Sequence, residues 1–312
     1  MHFTSNGKFL LTGEYLVLKG AVALALPLKL GQSMEVETLD SDEGLIYWNA
    51  FIKATSHGED QWFHVVLDKN NFNIKDSDDH EKAERLSYIL SQAKSLNEDI
   101  FLDTHDYKFS TCLNFSPQWG LGSSSTLINN ISEWAEINPY DLLENTFKGS
   151  GYDIACAKAD RPIFYKVDKS NGQRTNETTV ADFKPSFRDK LYFVYLGHKQ
   201  ISSKEVKAFL DKDKDYTEEV KLVSEISRSL PNANDFIDFC RLIDTHEDII
   251  ASCIGRPSVR NDFPDFGGTL KSLGAWGGDF IMAATEWEKE KVKSYFKNKG
   301  LDTVIEYKDI VL

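Results

Sequence analysis

Apolar positions along this chain follow two periods. In its first third they come as short branched runs or alternate with polar residues. "KFLLTGEYLVLKGAVALALPL" (8–28) is apolar and broken by Gly13 and Gly20, which predicts two strands around a tight turn. "QSMEVETL" (32–39) alternates and predicts a third strand, and "LIYWNAFIKAT" (45–55) and "WFHVVLD" (62–68) predict two more. Residues 79–96 fit a helix, and "FSTCLNF" (109–115) alternates again. From Leu127 the apolar residues 127, 128, 131, 134 and 135 form one helical face. "NPYDLLENTF" predicts a second helix, with Asn138 as N-cap and Pro139 in its first turn. "PIFYKV" (162–167) reads as a strand, and the polar stretch 168–186 as a loop or domain link.

The second half opens on the strand-like "KLYFVYLG" (190–197). Helical periodicity follows near 203–212, 216–229 and 234–252. "GDFIMAATEWEKEKVKSYFKNKG" (278–300) predicts a strand and a helix, with Thr285 and Glu288 as a capping box and Gly300 as the stop. "DTVIEYKDIVL" (302–312) predicts a final strand. Strands and helices mixed in two halves, without an internal repeat, imply an α+β protein of two domains, 1–185 and 186–312.

Composition narrows the functions open to such a chain. Its 312 residues suit either one large domain or two of ordinary size, and 20 Phe and 12 Tyr can fill sizeable cores. A formal charge of −13 argues against a nucleic-acid groove, which needs a basic excess. Cysteines at 112, 156, 240 and 253 form no C-x-x-C pair and no zinc spacing, so they read as buried thiols of a reducing compartment. "MHFTSNGKFLLTGEY" lacks a basic flank followed by a secretory run, and no apolar stretch approaches the roughly 18 residues of a membrane span. The expectation is a soluble cytoplasmic protein acting on a small molecule, with no membrane and no nucleic-acid partner.

The candidate chemistry begins at "PQWGLGSSSTLINNISEW" (117–134), small and polar in its first half and helical in its second. Consecutive residues without large side chains let backbone N–H groups converge on an anion, and the following helix aims its positive dipole end at the same place. One serine serving as an ordinary N-cap is the plainer alternative. The stretch is not a P-loop, because G-x-x-x-x-G-K-[ST] is absent. Two further glycine-rich turns, "GSGYDIA" (149–155) with Asp153 and "KSLGAWGGDF" (271–280), also lie at element boundaries. Three such turns suit loops that wrap a phosphorylated ligand.

These segments, in order and over most of the chain, resemble the galactokinase, homoserine kinase, mevalonate kinase and phosphomevalonate kinase superfamily, the GHMP kinases. "GKFLLTGEYLVLKGAVALALPL" resembles the first motif of that family. "SPQWGLGSSST" resembles its ATP phosphate loop, "ENTFKGSGYDIA" its metal-binding and catalytic segment, and "LKSLGAWGGDF" its third motif. The wording "GEY", "GSGYD" and "GGD" is similar to the mevalonate and phosphomevalonate kinase branch. The resemblance implies an N-terminal domain with a left-handed βαβ unit and a ferredoxin-like C-terminal domain. It implies ATP and Mg²⁺ as cofactors, Asp153 and Lys8 at the catalytic centre, and Ser124 and Glu144 on the metal. Gly120, Leu121, Gly122, Ser123, Ser124 and Ser125 then line the triphosphate, while Gly274 and Gly277 approach substrate or terminal phosphate. The implied activity is phosphoryl transfer to a hydroxyl or phosphate acceptor, with mevalonate or phosphomevalonate foremost. A sugar or amino-alcohol kinase, or a non-catalytic relative, remains open. Leu273 and Trp276 depart from the third motif, and a tryptophan at 276 is expected to crowd the loop beside the phosphates.

Overall fold

Strand β1 (His2–Thr12) leads through a turn to β2 (Ala23–Leu39), and Gly13 and Gly20 both take the positive φ that the turn needs, at 92° and 95°. The computed structural model describes residues 1–54, 58–168, 175–197, 202–212 and 214–312. They form two compact units: Met1–Gly7 with Leu30–Pro117 and Leu121–Lys158, and Lys8–Lys29 with Gln118–Gly120 and Ala159–Leu312.

The first unit adds β3 (Leu45–Ala54), β4 (Gly58–Asp68), β5 (Ile74–Ser77), α1 (His80–Leu96), β6 (Asp106–Leu113), α2 (Ser123–Trp134), α3 (Pro139–Thr146) and α4 (Tyr152–Lys158). Its strands lie in the order β5-β4-β3-β6-β2, with β3 and β6 parallel and the other pairs antiparallel. Met34, Val36, Trp48 and Phe109 of the sheet meet Leu86, Ile89, Ile128, Ile131 and Leu142 of the helices in one core. Trp48 and Phe109 stack at 4.8 Å across the β3–β6 pair. Alternation along β6 sends Tyr107 and Phe109 into this core and buries Thr111 and Leu113 on the same face, as the period of two requires. Asn138 caps α3 through Tyr140 N–H, as its position before Pro139 predicts, and Asp79 caps α1 through Lys82 N–H.

The second unit holds β7 (Ile163–Asp168), β8 (Thr175–Val180), β9 (Leu191–Tyr195), α5 (Ser202–Leu210), α6 (Thr217–Ser229), α7 (Phe236–Ile254), β10 (Gly268–Ser272), β11 (Phe280–Thr285), α8 (Lys289–Asn298), β12 (Val304–Glu306) and α9 (Tyr307–Ile310). Residues 23–25 of β2 pair with β7, which pairs with β8. The other four strands form an antiparallel sheet in the order β10-β11-β9-β12. With α5–α7 between β9 and β10 and α8 between β11 and β12, this is the βαββαβ plait of a ferredoxin-like domain. Phe9 stacks on Phe193 at 4.5 Å and meets Phe280 edge-on, which seats β1 on this sheet.

Four local expectations change. Residues 23–39 are one strand, not two. Gly31 interrupts the apolar pattern because the backbone of Ser5 approaches there: a Cβ at Gly31 would lie 2.1 Å from the Ser5 carbonyl oxygen. Within the polar stretch 168–186, residues 169–174 lie outside the described residues, and Thr175–Val180 is strand β8, an edge whose outward polar side chains hid it. Thr285 ends β11 and donates to Gly267 O at 2.6 Å, so it is no helix cap; Glu288 precedes α8 without a side-chain cap bond. The last strand is only Val304–Glu306, and α9 follows it. The boundary read near 185 lies within the second unit, where β7 pairs with residues 23–25 of β2 and β8 pairs with β7. Cys156 and Cys253 are buried thiols, and Cys112 and Cys240 half-buried ones. No helix among the described residues is long and apolar enough to cross a membrane.

Candidate active site

In the first unit the glycine–serine stretch becomes the start of α2. The residue at its N-cap is Gly122, at φ 98°, which has no side chain with which to cap the helix. The plainer expectation of a serine cap therefore fails. Ser125 is buried and donates its hydroxyl to Gly122 O at 2.9 Å; Thr126 donates to Ser123 O and to Gln32 Oε1. Ser123 is half-buried and Ser124 exposed. The first-turn N–H groups of an α-helix have no intrahelical acceptor, so an uncapped terminus presents them, with the positive dipole end, to an anion.

The helix is held from behind by polar contacts without exposure. Ser5 Oγ donates to Asn130 Oδ1 at 2.6 Å and accepts from Asn129 Nδ2 at 2.8 Å, and Asn130 Nδ2 reaches Gln32 O. Buried hydrogen bonds of this kind help to fix an element in one position. Gly7 has to be glycine for the same reason: its Cβ would stand 2.8 Å from Leu30 O and 2.9 Å from Leu121 O. Glu144 is exposed on α3, and Asp153, half-buried, opens α4, where its Oδ1 accepts from Ile154 N–H at 3.1 Å. Both helices pack against α2. No cluster of three or more acidic, His or Cys side chains with metal-ligand geometry occurs among the described residues. A cation at Ser124 and Glu144 would therefore need oxygen ligands from a bound phosphate, which is how Mg²⁺ is usually held.

In the second unit, half-buried Lys8 on β1 donates its ammonium to Gly120 O at 2.9 Å. Gly120 has φ 66°, and a Cβ there would fall 2.5 Å from Asp279 Cγ. The Asp279 carboxylate thus lies against the residue that opens the glycine–serine loop. The third turn runs from β10 to β11 with Gly274 at φ 66° and Gly277 at φ 84°, and Leu273 N–H closes it on Phe280 O. Lys8, Gly120, Gly274 and Asp279 are brought together; Gly277 is exposed at the tip. Asp279 was visible in the sequence only as the end of "GGD".

Trp276 does not crowd a phosphate loop. It is 2 % exposed and packs with Tyr15, Phe209, Tyr216 and Ile250. Tyr15 donates its hydroxyl to Ala275 O at 2.8 Å, tying the turn after β1 to the third turn.

Beneath these two turns lies a group of charges that sequence reasoning missed. Glu14, Lys271, Glu247 and His246 are all essentially without exposure. Lys271 donates to Glu14 and to Ser272 O and lies 3.3 Å from Glu247 Oε2. Glu247 accepts from Ser272 N–H and, at 2.8 Å, from Ser272 Oγ. His246 Nε2 accepts Gly13 N–H at 2.9 Å, so the ring is a neutral acceptor there. Burial pushes the Glu14 carboxyl up to about 7, against the pull of Lys271. Burial, and then Lys271, hold His246 well below the usual imidazole range. Glu14 and Lys271 sit in quoted motifs, but nothing in the helical pattern of α7 marks His246 or Glu247.

The two-sheet α+β architecture with its ferredoxin-like plait is the two-domain fold of the GHMP kinases. Three solved structures carry that likeness along nearly the whole chain. A Lin0012 protein from Listeria innocua matches with a TM-score of 0.69 and 17% identity, covering 97% of this chain and 96% of its own. The phosphomevalonate kinase of Streptococcus pneumoniae, in complex with phosphomevalonate and AMPPNP, gives 0.69 and 14%, over 98% and 99%. The mevalonate kinase of Methanococcus jannaschii gives 0.65 and 16%, over 98% and 96%. No family model and no curated protein sequence matches the chain.

Proposed function

We propose that this protein is an ATP- and Mg²⁺-dependent phosphotransferase for a small metabolite, with mevalonate or phosphomevalonate as the acceptor. The observation that carries the reading is the uncapped N-terminus of α2 behind Gly122, on a chain with the fold of the GHMP kinases. An open helix N-terminus flanked by small residues suits a triphosphate. An exposed hydroxyl and an exposed carboxylate, Ser124 and Glu144, are the oxygen donors that Mg²⁺ takes.

In this reading Gly120, Leu121, Gly122 and Ser123 to Ser125 cradle the phosphates with backbone N–H groups, Ser125 using its backbone because its hydroxyl is spent on Gly122 O. Lys8 steadies the loop through Gly120 O and adds a positive charge. Gly274 and Gly277 leave room for substrate at the third turn. Magnesium, when bound by Ser124, Glu144 and phosphate oxygens, neutralises charge on the phosphates. Asp153 accepts the proton of an alcohol acceptor; a phosphate acceptor already presents a nucleophilic oxygen, and Asp153 then orients it.

Two measurements test this. Mg-AMPPNP at 100 times its dissociation constant should stabilise the wild type by about 2.7 kcal/mol. Gly122→Asp places a side chain and a negative charge in the cradle and should abolish that gain; a folded variant with an undiminished gain refutes the cradle. ADP release with mevalonate, phosphomevalonate, homoserine and galactose then assigns the acceptor, and turnover of a sugar alone refutes the mevalonate assignment.

A further inference from the structure

The charges beneath the two turns belong to neither the phosphate loop nor the acceptor chemistry. We propose that Lys271 is a positioning residue of the phosphotransferase, holding the third turn against Gly120 through a network that is neutral when Glu14 carries a proton. The inference rests on the kinase reading and adds to it how the nucleotide loop is kept in place.

The geometry runs outward from one ammonium. Lys271 holds Glu14 in the turn after β1, Glu247 on α7 and the carbonyl of Ser272 at the base of the third turn, and it lies 5.7 Å from the Trp276 ring centroid. Tyr15, beside Glu14, bonds Ala275 O within the third turn. The far arm of that turn carries Asp279, packed on Gly120. Lys271 is therefore linked to the near arm of the turn at Ser272 O, to the Trp276 ring and, by way of Glu14 and Tyr15, to Ala275 O, and the far arm of the same turn bears on Gly120 through Asp279.

One ammonium and two carboxylates leave a negative charge with no exposure, which a low-dielectric interior disfavours. The groups facing Glu14 are Lys271 from β10, His246 and Glu247 from α7, and Tyr15, itself flanked by Glu205 and Arg256. His246 Nε2 lies 3.5 Å from Glu14 Oε2 and already accepts Gly13 N–H, and Glu14 Oε2 has no hydrogen-bond partner among the described residues. An extra proton is best placed on Glu14, whose carboxyl burial has raised. Above neutral pH the network becomes anionic, Lys271 is drawn between two carboxylates, and its grip on the third turn changes. Gly120, which carries the Asp279 contact and is joined through the chain to Leu121 and Gly122, should feel that change.

The test is calorimetric affinity for Mg-AMPPNP between pH 5.5 and 8.5, using wild type, Glu14→Gln, Lys271→Arg and Lys271→Met. Glutamine reproduces the protonated carboxyl in shape and charge. Wild-type binding should weaken roughly fivefold or more as the pH rises through 7, while Glu14→Gln keeps the low-pH affinity throughout. Titration of the nucleotide itself is common to both. Lys271→Met should bind weakly at every pH, with Lys271→Arg restoring part of the affinity; if Lys271→Met does not fold, Glu14→Gln decides. A Glu14→Gln protein whose affinity tracks wild type across the range overturns the inference while the kinase reading stands. A wild type that binds no Mg-AMPPNP overturns both.

Discussion

Glu14 and His246 make opposite demands on the stability of the fold, and each can be exposed by removing the other. The Glu14 carboxyl moves from an ordinary 4.5 to about 7 in the folded chain. Between those values the folded state holds a proton that the unfolded chain releases, so stability falls as pH rises through the window. A rise of that size corresponds to on the order of 3 kcal/mol, at about 1.4 kcal/mol per pH unit. His246 behaves in the reverse sense. Its ring stays neutral well below its ordinary 6.5, so below that pH the unfolded chain takes up a proton that the folded one refuses. Stability is lost on acidification, again at about 1.4 kcal/mol per pH unit. From 4.5 to 6.5 the two slopes oppose each other, and in wild type they nearly cancel. Glu14→Gln removes one slope and leaves the other: relative to wild type, its stability should climb by about 1.4 kcal/mol per pH unit from pH 5 to 6.5. His246→Asn should show the opposite trend. Urea unfolding at half-unit steps from pH 5 to 7.5 measures both, and taking differences from wild type cancels every other titrating group. Glu14→Gln and wild-type curves that run parallel would refute the placement of the proton.

Three further outcomes follow from the candidate site. Gly120→Ala forces a side chain into φ 66° and onto Asp279, and should cost roughly 1–3 kcal/mol in urea unfolding; an unchanged midpoint would contradict the packing of Asp279 on the loop. Asp153→Asn should lower turnover of an alcohol acceptor by about 10² to 10⁴-fold with nucleotide affinity retained, whereas Glu144→Gln should raise the magnesium needed for half-maximal rate; a fully active Asp153→Asn enzyme would leave Asp153 only an orienting role.

Local signals in the sequence were enough for the elements that depend on near neighbours. The helical faces of α1, α2, α6 and α7, the cap at Asn138 and the stop at Gly300 are set by residues within a turn or two of one another. The resemblance of the glycine-rich turns to the GHMP kinases led to the right fold for the same reason: each turn is a contiguous run. What stayed hidden depends on distance along the chain. The continuity of β2 at Gly31 is explained by the backbone of Ser5, and the strand character of Thr175–Val180 comes from pairing with β7. Serines before a helix suggested a cap, but the tertiary fold turned Ser125 inward and left Gly122 at the helix start. Trp276 looked like an obstruction until Tyr15 and Phe209 supplied a pocket for it. Lys271 meets Glu14 across 257 positions and Ser272 meets Glu247 across 25. The Glu14 carboxyl and the His246 ring titrate unusually only because folding removes them from water, and removal from water is a property of the assembled core, which no short window of residues contains.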